Sequence, residues 1–422
     1  MKATCAVVAL IACLTAPARA QGVPAGEAVS LAEAIALAMA REPATRAARA
    51  DVDVARGMRL QADLRANPTM SFERRQEPGG TDTATEIGVE WPLELFRRGP
   101  RRAAAAADLA VAEHQEADVR RRLAGDVAAA YGDVAAAARQ LAITDEVLVA
   151  ATAQLDLLRA RATQGAAPTL DRDLVDVEVR TIQAERMVQA GRSERALVRL
   201  KRLLGLSPAA PLRVTQSLDE LQTAVGVERG TVAERSDIQA STAQVRAADE
   251  RLGAARSAAR PDVTVFGSYM RMDAGFPQQG VSEHGVLERV RGQFNYVAAG
   301  AMVTVPLWNR EQGTIAAAAA ARDAAEARAE GARLTAAAEI AEASAWHDQA
   351  RRVVSLHADG IRPLARRNLE TVRETYQLGR ATVFDVLAEQ RRYLDTERAY
   401  TDALTEAFLS RVSLNRATGD TR

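Results

Sequence analysis

Four histidines, two methionines on one strand-like segment and a pair of matched aspartates are the side chains in this 422-residue sequence whose types suit chemistry. His347 and His357 are close in sequence, but a spacing of ten does not place two imidazoles on one helical face, and His114 and His284 fall on separate segments. All four are read as solvent-facing rather than as metal ligands. Met270 and Met272 point to one face of a strand, where packing explains them more simply than soft-metal binding. No phosphate loop and no clustered Ser/His/Asp arrangement is evident, so the chain is read as a non-enzyme with no cofactor and no metal. Asp171 and Asp385 differ from the rest, because each follows a glycine, Gly165 or Gly379, in segments that match one another.

Composition narrows the setting. Aromatic residues are only 4% while Ala runs through 103–107 and 316–321, so interfaces must be thin and close, which suits Ala-rich helices packed at short range. Lys+Arg and Asp+Glu are both 55, and this balance gives no global basic surface for nucleic acid. The first 20 residues have one Lys, an apolar run over Ala6–Leu14 and Ala18-Arg19-Ala20, the pattern of a secretory signal cleaved before Gln21. A rival reading takes Leu10-Ile11-Ala12-Cys13 as a lipoprotein box with Cys13 acylated. Under the first reading Cys5 and Cys13 are both removed, which excludes disulfides and thiolate metal sites. No later apolar run reaches the roughly 20 residues of a membrane helix, so any span must be made of strands.

The matching aspartates belong to a duplication. Trp91-Pro92-Leu93 matches Val305-Pro306-Leu307, Gln164-Gly165 matches Leu378-Gly379, Leu170-Asp171 matches Phe384-Asp385, and Leu203-Leu204-Gly205 matches Ala417-Thr418-Gly419, all 214 residues apart. Asn67-Pro68 pairs with Arg260-Pro261 at 193, which leaves an insertion of 21 between Pro261 and Pro306. Residues 21–207 and 231–419 are therefore read as two repeats joined by a linker at 208–230, each with the order helix, short strands, long helix, turn, helix. Capping boxes at Ser30/Glu33 and Thr231/Glu234 start the first helix of each repeat. The strands are expected at Met70–Gln76, Thr83–Trp91, Asp262–Met272 and Gln293–Val305, with a Gly- and Pro-containing loop over Met272–Gly292. The long helices are expected at Arg101–Thr163, Leu170–Leu204, Gly313–Leu378 and Val383–Thr418, with Pro363 bending or breaking the third. In the last, Val386, Tyr393, Tyr400, Ala407 and Leu414 form one seam, with Leu387, Leu394 and Phe408 beside it.

Ile87, Val89 and Trp91 alternate with Glu86, Gly88 and Glu90, an apolar face against a wet one. Four strands cannot close a membrane barrel, whose smallest closed forms have about eight, so several chains must contribute. An exported chain with paired barrel strands and helices of about 90 Å is read as a subunit of a tube.

The motifs YQLGRATVFDVLAEQRRYLDTERAY, RVSLNRATG, RPDVTVFGSY and VTVPLWNREQGTIAAAAAA, with GVEWPLELFRRGPRRAAAA as the first-repeat counterpart, resemble those of the TolC-like outer membrane factors across nearly the whole mature chain. The resemblance implies a mainly α protein with a small β part, in which duplicated long helical hairpins form an α-barrel and four strands per chain join a trimeric transmembrane β-barrel. It implies a homotrimer in the cell outer membrane, most of it periplasmic. Its partners would be a periplasmic adaptor, an inner-membrane pump of RND type and outer membrane lipid, in a tripartite efflux or type I secretion system. The short first hairpin and the Glu94–Arg102 run resemble the CzcC-like heavy-metal branch. By the same resemblance the turns at Gly165 and Gly379 are the periplasmic entrance, Asp171 and Asp385 ring the pore, and Tyr376 latches neighbouring tips; Arg380 stands beside Ala381, where a basic latch residue is common in the family. The alternative for both aspartates is that an acidic residue near a helix start merely favours the macrodipole. The cluster Arg97, Arg98, Arg101 and Arg102 either meets anionic headgroups or forms a solvated collar. The rival class is a periplasmic coiled-coil adaptor, which would not need lipid-length alternating hairpins.

Overall fold

Ser30 and Glu33 close their capping box in full: the Ser30 N–H donates to Glu33 Oε2 at 2.8 Å, and the Ser30 hydroxyl accepts from the Glu33 N–H at 3.4 Å. In the computed structural model, which describes residues 28–78, 80, 82–165, 168–223 and 235–419, a short strand β1 (Ala28–Val29) leads into α1 (Leu31–Arg41). The N-terminal leader, with Cys5 and Cys13, and the Thr231/Glu234 box lie outside these residues. Glu42 is extended before Pro43, which begins α2 (Pro43–Asp63), so the proline marks a joint rather than a kink.

A hairpin of β2 (Thr69–Gln76) and β3 (Thr83–Pro92) follows, then α3 (Arg98–Thr163) and α4 (Thr169–Leu203). At 66 residues α3 is about 100 Å long. The stretch expected as a linker carries β4 (Arg213–Val214), paired in parallel with β1, and α5 (Leu218–Thr223), whose Leu218 and Leu221 are buried. Next come α6 (Ser236–Ala258), β5 (Asp262–Val281), β6 (Leu287–Thr304) and α7 (Gln312–Leu356). The π-turn His357–Ile361, α8 (Arg362–Gln377) and α9 (Val383–Thr418) complete the described order.

One expectation needs correction. The loop expected over Met272–Gly292 is mostly strand: β5 and β6 continue their ladder up to Val281↔Leu287, with a register shift between Gly275 and Gln279 that spans Pro277. Backbone pairing to a partner strand overrides the poor strand propensity of Gly and Pro, and the irregularity accommodates the missing N–H. The interruption expected at Pro363 in the helix over Gly313–Leu378 is present, as the π-turn between α7 and α8. Pro363 has no N–H to donate, and just before it the Arg362 N–H bonds the His357 carbonyl five residues back, a π-type closure.

The four-stranded sheet has the order β2-β3-β5-β6, antiparallel throughout, with β2 and β6 as open edges. Its register puts Met70, Phe72, Ile87, Val89 and Trp91 on one face, all exposed, and Ser71, Glu73, Glu86 and Glu90 on the other. The main core lies where α1, α3, α4, α5 and α9 meet, around Tyr131, Phe408, Leu200 and Leu204. The Tyr131 hydroxyl donates to the Val29 carbonyl at 2.9 Å and accepts from the Gln216 N–H at 3.2 Å, fixing the β1/β4 pair to the helices. Along α7 only Ala329, Ala336, Ala343 and Ala350 are buried, a strict seven-residue repeat of the smallest side chain that lets α7 pack closely.

Candidate functional site: helical tips and the seam behind them

The second tip is built by backbone geometry that demands glycine. Gly379 has φ +73°, its N–H donates to the Tyr376 carbonyl at 2.9 Å, and the Arg380 N–H donates to the Thr375 carbonyl at 3.0 Å. Both bonds of a Schellman ending are present, and a side chain at Gly379 would strain the left-handed backbone. Gly165 matches it, with φ +69° and an N–H bond to the Ala162 carbonyl at 3.1 Å. Arg380 thus contributes through its backbone, with its side chain exposed.

Past the turn the two aspartates part company. Asp385 is the third residue of α9, and its Oδ2 accepts from the Thr382 N–H at 2.8 Å and the Thr382 hydroxyl at 2.7 Å, while its own N–H donates back to that hydroxyl. The Thr382 hydroxyl and then its N–H hold the Asp385 carboxyl below the usual carboxylate range. Because the folded pKa is depressed, this contribution is present above the unfolded value and is lost as pH falls through the folded one. Asp171 occupies the same place in α4 but follows Pro168, which has neither hydroxyl nor N–H to offer. Its charge instead reaches Tyr376: burial first, then Asp171, push the phenol pKa up against the opposing pull of Arg161. The structure thus packs Tyr376 of the second tip against the cluster of Leu155, Leu158, Val175 and Val179 behind the first, and gives Asp385 a local capping partner. Thr382→Ala is expected to speed amide exchange across Val383–Val386 and leave the α4 start unchanged. Equal protection in variant and wild type would show that the box does not hold this tip.

Behind the tips, α9 carries a seam that apolar periodicity does not reveal. Val383, Gln390, Glu397, Leu404, Arg411 and Thr418 recur every seventh residue, and all are buried. Four of them, Gln390, Glu397, Arg411 and Thr418, are polar or charged, which hides the seam from any search for hydrophobic repeats. Arg362 meets Glu397 at 2.6 Å, and the Arg411 guanidinium donates to the Leu221 and Gln222 carbonyls. Burial lowers the Arg411 pKa. Ion pairs Arg391–Glu178 and Arg398–Glu185 join α9 to α4.

The arginines after β3 find protein partners. Arg101 bonds Glu94 and the Ala62 and Leu64 carbonyls, Arg98 and Arg102 meet Asp63, and Arg97 reaches the Ala258 carbonyl and Asp262. They clamp the carboxyl ends of α2 and α6, where cations suit the helix dipole, and keep a third to a half of their side-chain surface exposed. The histidines also depart from expectation. His284 is exposed, but His114, His347 and His357 are half-buried, because each sits where its helix meets a neighbour. Burial first, then Arg351 and Arg411, lower the His347 pKa, and its Nδ1 lies 3.3 Å from the Ser410 hydroxyl. Among the described residues no three His, Cys, Asp or Glu side chains group as a metal site would.

A family model described as outer membrane efflux protein matches residues 34–206 and 231–420. The chain belongs to the outer membrane efflux protein family. The outer membrane protein OprJ of Pseudomonas aeruginosa is 27% identical over 398 residues, 88% of this chain and 79% of OprJ. TtgF of Pseudomonas putida, a toluene efflux pump outer membrane protein, is 27% identical over 215 residues, 48% of this chain and 45% of TtgF. Among solved structures, CusC superposes with a TM-score of 0.75 at 20% identity over 92% of both chains. VceC from Vibrio cholerae gives 0.72 at 20% identity over 92% of this chain and 96% of that one. Long helices with a small sheet are thus the fold of outer membrane efflux proteins, and the outer membrane is the location of this chain.

Proposed function

We propose that this chain is one subunit of a passive outer membrane duct that takes substrate from a periplasmic adaptor and an inner-membrane pump of RND type. The observation that carries the reading is the sheet. Four antiparallel strands with two open edges and an exposed apolar face cannot stand alone, and three copies edge to edge give the twelve strands a closed barrel needs. Homotrimeric closure is supported again by the helical edges, where exposed Val54 and Met58 of α2 and Leu334 of α7 lie on the outermost helices. The two-repeat organisation, 21–207 and 231–419, is supported by the starts of α3 and α7 and of α4 and α9, each pair 214 residues apart.

At the entrance, Asp171 and Asp385 are read as an acidic ring with Tyr376 beside it, on turns set by Gly165 and Gly379. Asp385 fills both roles, since a capping carboxylate held ionised still presents its charge to solvent. Crowded carboxylates in a narrow aqueous throat favour cations. The CzcC-like branch rests on the short first hairpin and the Glu94–Arg102 run alone; similarity to CusC at 20% identity describes fold and assigns no cargo.

Single-channel recording in planar bilayers tests the reading. Wild-type protein is expected to form small cation-selective channels, and Asp171→Ala with Asp385→Ala to lose that selectivity. Channels of unchanged selectivity would remove the ring and keep the duct. Folded protein that never inserts would favour the periplasmic adaptor.

A further inference from the structure

The two long hairpins differ at one place. α3 runs unbroken for 66 residues, whereas the equivalent stretch of the second hairpin is cut into α7 and α8 by the π-turn His357–Ile361. Gly360 within the turn leaves open space, since a Cβ there would meet no atom within 4 Å. One residue past the cut, Arg362 Nε donates to Glu397 Oε1 at 2.6 Å, and the Glu397 side chain is 3% exposed. The same guanidinium lies 5.0 Å from the Tyr400 ring centroid, while Arg139 of α3 approaches that ring at 5.4 Å. Apolar burial along α8 is small: of its 16 residues only Ala365 and Leu369 are buried, with Tyr376 partly buried at its tip end.

We propose that the π-turn is a pivot for the tip half of the second hairpin, and that Arg362–Glu397, seated on Tyr400, is the clasp that fixes α8 in one register on α9. Three independent features carry this. A π-turn replaces the ordinary helical ladder locally and concentrates bending there. A segment with two buried side chains loses little apolar burial when it moves, so its position is set by the few specific bonds it makes. A carboxylate buried at a heptad position, with its charge met by a half-exposed arginine of the facing helix, selects one register over others.

The fourth feature points to a second arrangement. Seven residues tipward of Glu397 on the same seam, Gln390 is 1% exposed, and neither of its amide atoms has a hydrogen-bond partner among the described residues. Glu389 Oε1 and His357 Nδ1 share that condition, and His357 is the first residue of the pivot. Buried groups left unsatisfied raise the free energy of the arrangement that strands them. A shift of α8 that releases the clasp gives Gln390 and His357 new neighbours, so clasp and orphaned groups oppose one another across a few turns of helix. The first hairpin has no such interruption: α3 and α4 each run as one unbroken helix.

The consequence for conduction rests on the duct reading; the geometry of the pivot does not. Spin labels at Ala160→Cys on α3 and Glu374→Cys on α8, both exposed positions, report the tip separation in full-length protein reconstituted in lipid. Glu397→Gln is expected to raise the population of a second distance by roughly tenfold, the effect of losing one charge-assisted hydrogen bond. Gly360→Ala, which adds a methyl group in open space and stiffens the turn, is expected to narrow the distribution, and it keeps the test decisive where Glu397→Gln fails to fold. Channel recordings on the same proteins are expected to show higher open probability in Glu397→Gln. Distances that do not change in either variant overturn the pivot. Distances that respond while no variant, wild type included, carries current retain the pivot and discard the duct.

Discussion

Phe408→Ala is expected to destabilise the helical body by about 3–5 kcal/mol, the range for deleting a fully buried aromatic ring. Phe408 is 1% exposed and lies in the core with Tyr131, Leu200 and Leu204. Its seat is cut by Gly132. A Cβ on that glycine would stand 2.4 Å from both Cδ1 and Cε1 of the ring, closer than any real contact, so α3 approaches α9 only because position 132 has no side chain. Gly132→Ala therefore overpacks the same site, at about 1–3 kcal/mol. Each change removes the reason the other is harmful, and the double variant Gly132→Ala/Phe408→Ala is expected to be more stable than the sum of the two losses predicts, by about 0.5–3 kcal/mol. Guanidinium unfolding followed by far-UV circular dichroism on all four proteins closes the cycle. Strict additivity would mean that ring and glycine do not meet, and the packing of α3 on α9 would need redrawing.

That contact illustrates what the sequence could and could not reveal. The apolar seams of α9 were legible, and Val386, Leu394, Tyr400, Ala407, Phe408 and Leu414 are all buried. The third seam was not. Gln390, Glu397 and Arg411 are polar, and what buries them comes from residues such as Arg362, Leu221 and Gln222 on other elements. Capping chemistry was visible where Ser30 and Glu33 spelled it out, but the same spacing at Thr382 and Asp385 was read as pore chemistry first. Pro363 announced a break without its kind, because one missing N–H does not say whether the ladder ends or slips to a π closure. The β5–β6 extension was hidden by Gly and Pro, whose local preferences yield once a partner strand fixes the register. Similarly, the cluster Arg97 to Arg102 carries no sign of its carbonyl partners at the ends of α2 and α6, since those ends are defined only by folding. At the tips, Gly165 and Gly379 were legible because positive φ is a local demand, while the reach of Asp171 to Tyr376 joins residues from opposite repeats.

The face that meets lipid gives the other large effect, and it turns on a single step along β3. Val89→Arg is expected to remove the protein from the outer membrane fraction, while Glu90→Arg leaves insertion intact and alters ion selectivity. Both residues are exposed in the single chain, so burial within the subunit does not separate them. Parity does. Val89 pairs with Met70 on one side and Gly267 on the other, and it lies between Ile87 and Trp91 on the apolar face. That face ends in Arg74 on β2 and Arg271 on β5, which pair in register with Thr85. At its other end the Trp91 indole N–H donates to the Ala66 carbonyl at 3.0 Å beside the helices. From Trp91 to Thr85 the band runs about 20 Å along the strand, which at the tilt of barrel strands spans more than half the height of an outer membrane slab. Val89 sits near its middle, where an arginine facing lipid costs about 2–4 kcal/mol per copy, a burden multiplied by three in the proposed trimer. Glu90 shares its face with Glu86 and Ser268, on the wet side, where a reversed charge is solvated and changes only which ions the duct favours. Fractionation with a folded-trimer gel, followed by bilayer recording of whichever variant inserts, reads both results. If Val89→Arg inserted and Glu90→Arg did not, the two faces of the sheet would have to be exchanged. If both inserted equally, the sheet would not be crossing lipid at all.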